Sequence, residues 1–232
     1  EHNLLRKIFF RTEAKKLRRY ERILNLADEI LCISKHEMPY FEKTYGKAMF
    51  LPAFHRNRIV RIEEGNGSYI LYHGNLSVPE NIEALRYIVK KILAATEHKL
   101  YVAGKDPSNK LKKWLSGYKN IQLIENPDED KMAHLIKDAQ INILYSFQST
   151  GLKLKLLNSL YTGRHCIVNP PMVAGTGLEE ACHVVSTPDQ AIRMVNLLMD
   201  TPLSIEYQRH RSEVLSAYST RENAEKIYRL LD

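Results

Sequence analysis

The sequence predicts an α/β protein: a doubly wound parallel sheet with a partial second α/β unit. Short runs rich in β-branched and aromatic residues alternate with helical patterns almost from end to end, which is the order that parallel strands with crossover helices require. Glycine, asparagine or serine lies at the end of most of these runs, as is typical of strand ends that face a ligand. At 232 residues the chain is long enough for one large core or two modest ones.

The first 54 residues predict an incomplete sheet. The expected elements are, in order, a basic helix over 1–22, a strand over 29–34, a helix from His36 to Tyr45 ended by Gly46, and a strand over 48–54. Residues 55–68 are polar, contain two glycines and are expected to form a linker.

From Tyr69 the alternation becomes regular and predicts six consecutive strand units. The strands are expected over 69–75, 99–105, 121–126, 141–146, 165–169 and 182–186. The helices are expected over 79–93, 108–116, 129–139, within 149–165, and over 188–199, 203–217 and 220–231. Six such units make a domain of about 150 residues, an ordinary size, with its ligand at the carboxyl ends of the strands.

Basic residues are concentrated at the amino end of the chain. The formal net charge is +7, and residues 1–22 hold eight Arg and Lys against three Glu, which gives +5 for that segment alone. Apolar residues at helical spacing favour a helix packed on a domain with its charges in water, and a peripheral contact with the inner face of a membrane is the alternative. No apolar run approaches the roughly 20 residues of a membrane-spanning helix, so a cytoplasmic protein is expected.

Cysteine and histidine spacing supports neither a disulfide nor a metal site. Cys32, Cys166 and Cys182 lie far apart in apolar runs and are expected to be buried thiols. The nine histidines include no HExxH spacing and no cluster with cysteine, and only His73 and His165 are kept as candidate site residues. No metal and no cofactor are therefore expected.

Residues 149–169, STGLKLKLLNSLYTGRHCIVN, predict a glycine-led helix between two strands. At 3.6 residues per turn, a polar stripe and an apolar arc separate: the stripe holds Gly151, Lys155, Asn158 and Thr162, and the arc holds Leu152, Leu154, Leu156, Leu157, Leu160 and Tyr161. Free N–H groups at the helix start favour an anion, and Lys155 adds a positive charge. The simpler alternative is a solvated helix face. No GxGxxG or GxxxxGK[ST] motif occurs, which argues against an ordinary dinucleotide enzyme or P-loop NTPase.

Three further stretches precede this helix in a fixed order: YILYHGNLSVPENIEAL, KLYVAGKDPSNKL and IQLIENPDEDKMAHLIKDAQINILYS. In the helix itself five positions match the pattern G-x-R/K-x-K-x-L-E-A-x-x-x-G-x-P-V-V: Gly151, Lys153, Lys155, Leu157 and Gly163. Together these stretches resemble the carboxy-terminal, donor-binding domain of GT-B glycosyltransferases, most of all glycosyltransferase family 4. The resemblance covers the whole chain and implies a Rossmann-like fold.

The resemblance implies that a nucleotide diphosphate sugar is bound without a metal. The implied contacts are Glu125 and Asn126 for the nucleobase, Gly151, Leu152, Lys155, Lys105, Gly74 and Asn75 for the diphosphate, and Ser149 and Thr150 in the sugar-facing loop. Lys155 and Asn158 are the implied catalytic residues. A leaving diphosphate gains negative charge in the transition state, so a lysine and preorganised N–H groups would accelerate its departure.

The chain departs from that family in two respects, and the first is the loss of two acidic residues. The family has Glu, a ribose contact, where this chain has Asn158, and another acid in the sugar-facing loop where this chain has Ser149 and Thr150. Asn158 can still accept one hydrogen bond from a ribose hydroxyl, but it brings no charge.

The second departure is length. Residues 1–60 resemble only the end of the amino-terminal, acceptor-side domain, residues 61–202 the nucleotide-sugar domain, and residues 203–232 the helices that cross back. We therefore expect a fragment of a longer enzyme.

The leading functional hypothesis is a retaining glycosyltransferase that moves a sugar from a nucleotide diphosphate donor to a glycan or lipid-linked acceptor in polysaccharide biosynthesis. The alternative is a catalytically silent module that binds a nucleotide sugar or a partner chain. A nucleotide-sugar epimerase would need acidic and histidine pairs that the sequence does not offer. Nucleic acid is not an expected partner, because the aromatic residues fall mainly inside predicted strands and helices.

Overall fold

The computed structural model describes residues 4–148 and 153–231. The chain divides into two compact units, Glu1–Leu51 and Pro52–Asp232. The domain boundaries predicted between residues 60 and 61 and between residues 202 and 203 stay predictions.

The Glu1–Leu51 unit is the partial α/β unit that the sequence predicts. Its elements are α1 (Leu4–Glu21), a 3₁₀ turn (Arg22–Leu26), β1 (Ile30–Cys32), α2 (Met38–Tyr45) and β2 (Ala48–Phe50). β1 and β2 form a parallel pair. Gly46 ends α2 in the left-handed conformation, at φ 69°, and its N–H donates to the carbonyl of Glu42.

Helix α1 exposes apolar side chains as well as its basic ones. Ile8, Phe9, Phe10, Leu17 and Tyr20 are each more than half exposed within the structure. None of the helices in residues 4–148 and 153–231 combines the length and apolar character needed to cross a bilayer. Peripheral membrane contact through residues 1–22 stays a prediction.

The Pro52–Asp232 unit is built on six parallel strands. They are β3 (Ile70–Asn75), β4 (Leu100–Lys105), β5 (Ile121–Glu125), β6 (Ile141–Leu144), β7 (His165–Val168) and β8 (His183–Val184). Their order in the sheet is β5-β4-β3-β6-β7-β8. The chain reverses its winding direction between β3 and β6, and this switch point is where doubly wound sheets bind ligands.

Eight helices of this unit surround the sheet in the described part of the chain. They are α3 (Pro79–Lys91), α4 (Asn109–Leu115), α5 (Glu129–Asp138), α6 (Leu154–Thr162), α7 (Pro170–Val173), α8 (Pro188–Met199), α9 (Ile205–Leu215) and α10 (Thr220–Leu231). Both faces of the sheet are covered. Ile70 and Tyr72 on β3 pack into the larger core cluster, and Leu71 between them packs with Ile136 and Ala139 on the other face.

Five of these helices follow a residue whose side chain accepts a hydrogen bond from the first turn. Ser108, Asp128, Thr187, Ser204 and Ser219 cap α4, α5, α8, α9 and α10 in this way. Helix α6, like α3 and α7, has no such cap, because the side chain of Lys153 at its start makes no such bond. The amides of the first turn of α6 therefore have no side-chain cap from the residue that precedes the helix.

Cys32 and Cys166 are buried free thiols, as predicted. The prediction is wrong for Cys182, which is only half-buried. The strand expected over 182–186 is reduced to His183–Val184, so Cys182 lies before β8 rather than inside it.

Candidate functional site

A cavity of about 650 Å³ opens at the carboxyl edge of the sheet. Its wall comes from the ends of β3 and β4, the start of α5, one face of α6 and the extended segment Phe54–Asn57. The described lining residues are Phe54, His55, Arg56, Asn57, His73, Gly74, Asn75, Gly104, Lys105, Pro127, Asp128, Glu129, Met132, Ala133, Ile136, Leu154, Asn158 and Thr162. A volume of this size, with mixed apolar and polar walls, suits a small-molecule ligand.

Gly104, at the end of β4, allows the backbone of β3 and β4 to approach closely. Gly74 and Gly104 pair across the two strands. A Cβ on Gly104 would lie only 1.9 Å from the carbonyl oxygen of Gly74, so a larger residue there would displace the strand end. Gly104 is therefore required for the close pairing of the two strand ends at the cavity wall.

Helix α6 begins at Leu154, three residues after the start predicted at Gly151. Lys153 has an extended backbone and ends the helix on that side. Glycine has the lowest helix propensity after proline, so the sequence at the predicted start does not favour a helix. Ser149, Thr150, Gly151 and Leu152 lie outside the described residues, so the sugar and diphosphate contacts predicted for them stay predictions.

Two residues of the polar stripe of α6 face the cavity. Asn158 and Thr162 line the cavity, and Thr162 Oγ1 donates to the carbonyl of Asn158 at 2.9 Å. On the predicted apolar arc, Leu156, Leu157, Leu160 and Tyr161 are buried. The prediction is wrong for Leu154, which is 47% exposed and lines the cavity, because the helix begins at this residue and no earlier turn covers it.

Lys155 links the start of α6 to the end of β3. Its Nζ donates to Oδ1 of Asn81 at 2.9 Å and lies 5.7 Å from the centre of the Tyr72 ring. Asn81 in turn donates through Nδ2 to the carbonyl of Asn75 at 3.0 Å. The structure therefore brings Lys155 together with Gly74 and Asn75, three of the residues predicted for the diphosphate.

The charge of Lys155 is not balanced by any carboxylate in the described part of the chain. Burial lowers the pKa of Lys155 to about 8, and the nearby positive charge of Lys153 adds to this effect. A half-buried ammonium without a counter-ion favours an incoming anion, which would supply the missing negative charge.

His73 lies at the same strand end but carries no charge. Its Nε2 is 3.0 Å from Oγ of Ser159, and burial, with a smaller contribution from Lys155, lowers its pKa to about 3. His165, the other histidine of interest, contacts His183 and the carbonyl of Thr201 and does not line the cavity. Within residues 4–148 and 153–231, no group of three or more His, Cys, Asp and Glu side chains is placed to hold a metal ion.

The residues predicted to contact the nucleobase lie next to the cavity rather than on its wall. Glu125 forms an ion pair with Lys112. Asn126 adopts a left-handed backbone, at φ 47°, and its Oδ1 accepts from the N–H of Asp106, which is also left-handed at φ 53°. Such backbone conformations are uncommon for residues with side chains and cluster at functional sites. The turn at Asn126 leads directly to Pro127 on the cavity wall, and the base contact itself stays a prediction.

The sequence did not reveal the Phe54–Asn57 segment, most of which falls in the predicted linker. Arg56 pairs with Glu129 at 2.6 Å, and Nδ2 of Asn57 donates to Oδ1 of Asn158 at 2.9 Å. These partners are 73 and 101 residues away in the sequence, so no local pattern signals them. The oxygen of Asn158 predicted to be available for a ribose hydroxyl already accepts a bond from Asn57.

No family model matches the chain, and no curated protein matches it. Solved structures do match. TarM is 13% identical, with a TM-score of 0.71 over 94% of this chain and 46% of TarM. A glycosyltransferase from Rickettsia africae is 12% identical, with a TM-score of 0.68 over 92% of this chain and 65% of that protein. Anabaena HepE, solved with UDP and glucose, is 9% identical, with a TM-score of 0.65 over 92% of this chain and 67% of HepE.

This chain has the GT-B glycosyltransferase fold. The predicted α/β class and the Rossmann-like doubly wound sheet are confirmed. The GT-B chain spans about half the length of TarM. At these identities the likeness establishes the fold, while the chemistry depends on the residues at the cavity.

Proposed function

We propose that this GT-B chain binds a nucleoside diphosphate sugar in the cavity and contributes the donor site of a retaining glycosyltransferase, with a glycan or lipid-linked molecule as the acceptor. The observation that carries the proposal is the unbalanced ammonium of Lys155 at the start of α6, beside the cavity at the switch point of the sheet. The HepE structure contains UDP and glucose, which makes UDP the first nucleotide to test.

In this proposal the chain binds the diphosphate through positive charge and backbone amides. Lys155 and the first-turn amides of α6 would hold the phosphates, and the exposed Lys105 at the end of β4 adds a second cation, which lies on the cavity wall. Negative charge grows on the diphosphate as the sugar leaves, so these groups would stabilise the transition state more than the ground state. The apolar side of the cavity, with Met132, Ala133 and Ile136 on α5, offers a surface for the nucleobase.

A thermal melt with UDP tests this proposal directly. At a UDP concentration about 100 times its Kd, the midpoint of unfolding should rise by about 5–10 °C, because the ligand binds the folded chain alone. GDP and ADP run in parallel identify the preferred base. Uridine and pyrophosphate, each carrying one half of the ligand, serve as controls and should give smaller shifts. The proposal fails if none of the three nucleoside diphosphates changes the midpoint at millimolar concentration.

A second candidate function is a silent module that binds the nucleotide sugar without turnover. Asn158 favours this alternative, because its side chain is an uncharged amide and not a carboxylate. Its Oδ1 also already accepts a hydrogen bond from Asn57. The two functions separate in an assay of UDP release from UDP-sugars. We expect release by the wild type and an increase of less than about twofold in Asn158→Glu, as for an enzyme adapted to asparagine. Wild-type binding without release would favour the module.

A further inference from the structure

Asn57 and Asn158 form an amide pair on the cavity wall. Nδ2 of Asn57 donates to Oδ1 of Asn158 at 2.9 Å. This bond leaves two polar atoms, Oδ1 of Asn57 and Nδ2 of Asn158, without a hydrogen-bond partner among the residues that the structure describes. Neither atom is sealed from solvent, and both residues line the cavity. The pair therefore offers a ligand one acceptor and one donor, both uncharged.

Several other polar groups on the wall are already engaged within the chain, and Nδ1 of His55, which has no hydrogen-bond partner among the described residues, is sealed from solvent. Oδ1 of Asn75 accepts bonds from both the N–H and the hydroxyl of Ser77. The Thr162 hydroxyl donates to the carbonyl of Asn158, and the ring nitrogen Nε2 of His55 contacts the carbonyl of Tyr218. Oδ1 of Asn57 thus remains a neutral acceptor that a ligand can use without breaking an internal bond.

The amide pair lies at a defined distance from the proposed phosphate position. Asn158 follows Lys155 by three residues, which is about 4.5 Å along a helix axis. In a nucleoside diphosphate, the group that follows the phosphates is the ribose, and its two ring hydroxyls are neighbours. A vicinal diol matches an adjacent donor and acceptor, because one hydroxyl can donate while the other accepts.

We propose that Asn57 is a ribose-binding residue of this cavity. Its Oδ1 accepts a hydrogen bond from one ribose hydroxyl, and Nδ2 of Asn158 donates to the other. The hydrogen-bond acceptor for the ribose thus lies on the Phe54–Asn57 segment instead of on α6. This inference rests on the proposed function, in which the cavity binds a nucleoside diphosphate.

Calorimetric titration with UDP, 2′-deoxy-UDP and 3′-deoxy-UDP tests the assignment. For the wild type, at least one deoxy compound should bind about tenfold more weakly than UDP, the usual effect of one hydrogen bond. Asn57→Ala should weaken UDP binding by about tenfold and change the affinity for that same deoxy compound by less than about twofold. Asn66→Ala, at an exposed position in the following segment, is the matched control and should bind all three as the wild type does.

Asn57→Asp provides a second variant, which keeps an acceptor oxygen and should keep the preference of the wild type for UDP over the deoxy compound. Equal losses by Asn57→Ala on UDP and both deoxy compounds would overturn the assignment, as would no loss or tighter binding of all three. Failure of the proposed function gives a different result, in which the wild type binds none of these compounds.

Discussion

Replacing Arg211 with methionine is expected to destabilise the Pro52–Asp232 unit by about 3 kcal/mol. Arg211, on α9, is fully buried, and its guanidinium donates to the carbonyls of Leu160, Gly163 and Arg164 at the end of α6. It also stacks 5.0 Å from the centre of the Tyr207 ring. Methionine would leave three buried carbonyls without their donor, and each orphaned group carries a desolvation cost.

Urea denaturation measures this change. Arg209→Met, two positions earlier on the same helix at an exposed site, is the control and should shift the free energy of unfolding by less than about 0.5 kcal/mol. Arg211→Lys should recover only part of the loss, because one ammonium cannot reproduce the fork of a guanidinium. A free energy of unfolding for Arg211→Met within about 1 kcal/mol of wild type would contradict the argument.

Arg211 connects the C-terminal helices to the site through α6. The guanidinium fixes the end of this helix, and the opposite end carries Lys155. A cation at a helix C-terminus also interacts favourably with the helix dipole. Helix α9 therefore holds in place a helix that contributes to the cavity wall, although none of the described residues of α9 lines the cavity.

The fold could be predicted from the sequence because its signals are local. Four of the six strands of the large sheet, β3, β4, β6 and β7, are mainly buried, and all six strands begin within one residue of their predicted start. Helix α8 coincides with its predicted span from Pro188 to Met199, where Thr187 and Pro188 mark the start. Helical periodicity also placed Asn158 and Thr162 on the cavity face of α6.

The rest of the site depends on contacts between distant parts of the chain. The Phe54–Asn57 segment has linker composition, yet two of its side chains bond with α5 and α6 on the cavity wall. Arg211 is a charged residue on a helix, and only tertiary packing buries it. Residues of these types are usually exposed, so their sequence patterns favour a surface position that the fold overrides.

Replacing Lys155 with methionine is expected to weaken UDP binding by about 10- to 100-fold, the range for loss of one charge-assisted hydrogen bond. Methionine has a similar length and fits beside Tyr72 and Asn81 without an added charge. Lys110→Met, on an exposed position of α4, is the control and should leave the affinity unchanged. Isothermal titration at pH 7 measures both variants, and equal affinities for wild type and Lys155→Met would remove Lys155 from the site.

The pH dependence of binding should follow the same side chain. Because the pKa of Lys155 is lowered to about 8, the wild type loses this positive charge above that pH, and its affinity for UDP should fall by about tenfold between pH 7 and pH 9. His73 stays neutral throughout this range, since its pKa is about 3. Burial also lowers the pKa of Lys153. The pH dependence of UDP affinity that remains in the Lys155→Met variant therefore measures the contribution of Lys153 together with ionisation of the ligand.

Folding stability should respond in the opposite direction to binding. A lysine whose pKa is lower in the folded chain than in the unfolded chain costs stability while it is charged, and that cost is relieved as the pH rises from about 8 toward 10.5. Above pH 8 the free energy of unfolding of the ligand-free chain thus rises, while the affinity for the nucleotide falls. A bound diphosphate has the opposite effect on Lys155, because it stabilises the charged amine and raises the pKa of this lysine. Parallel loss of affinity in wild type and Lys155→Met between pH 7 and pH 9 would show that another group controls binding.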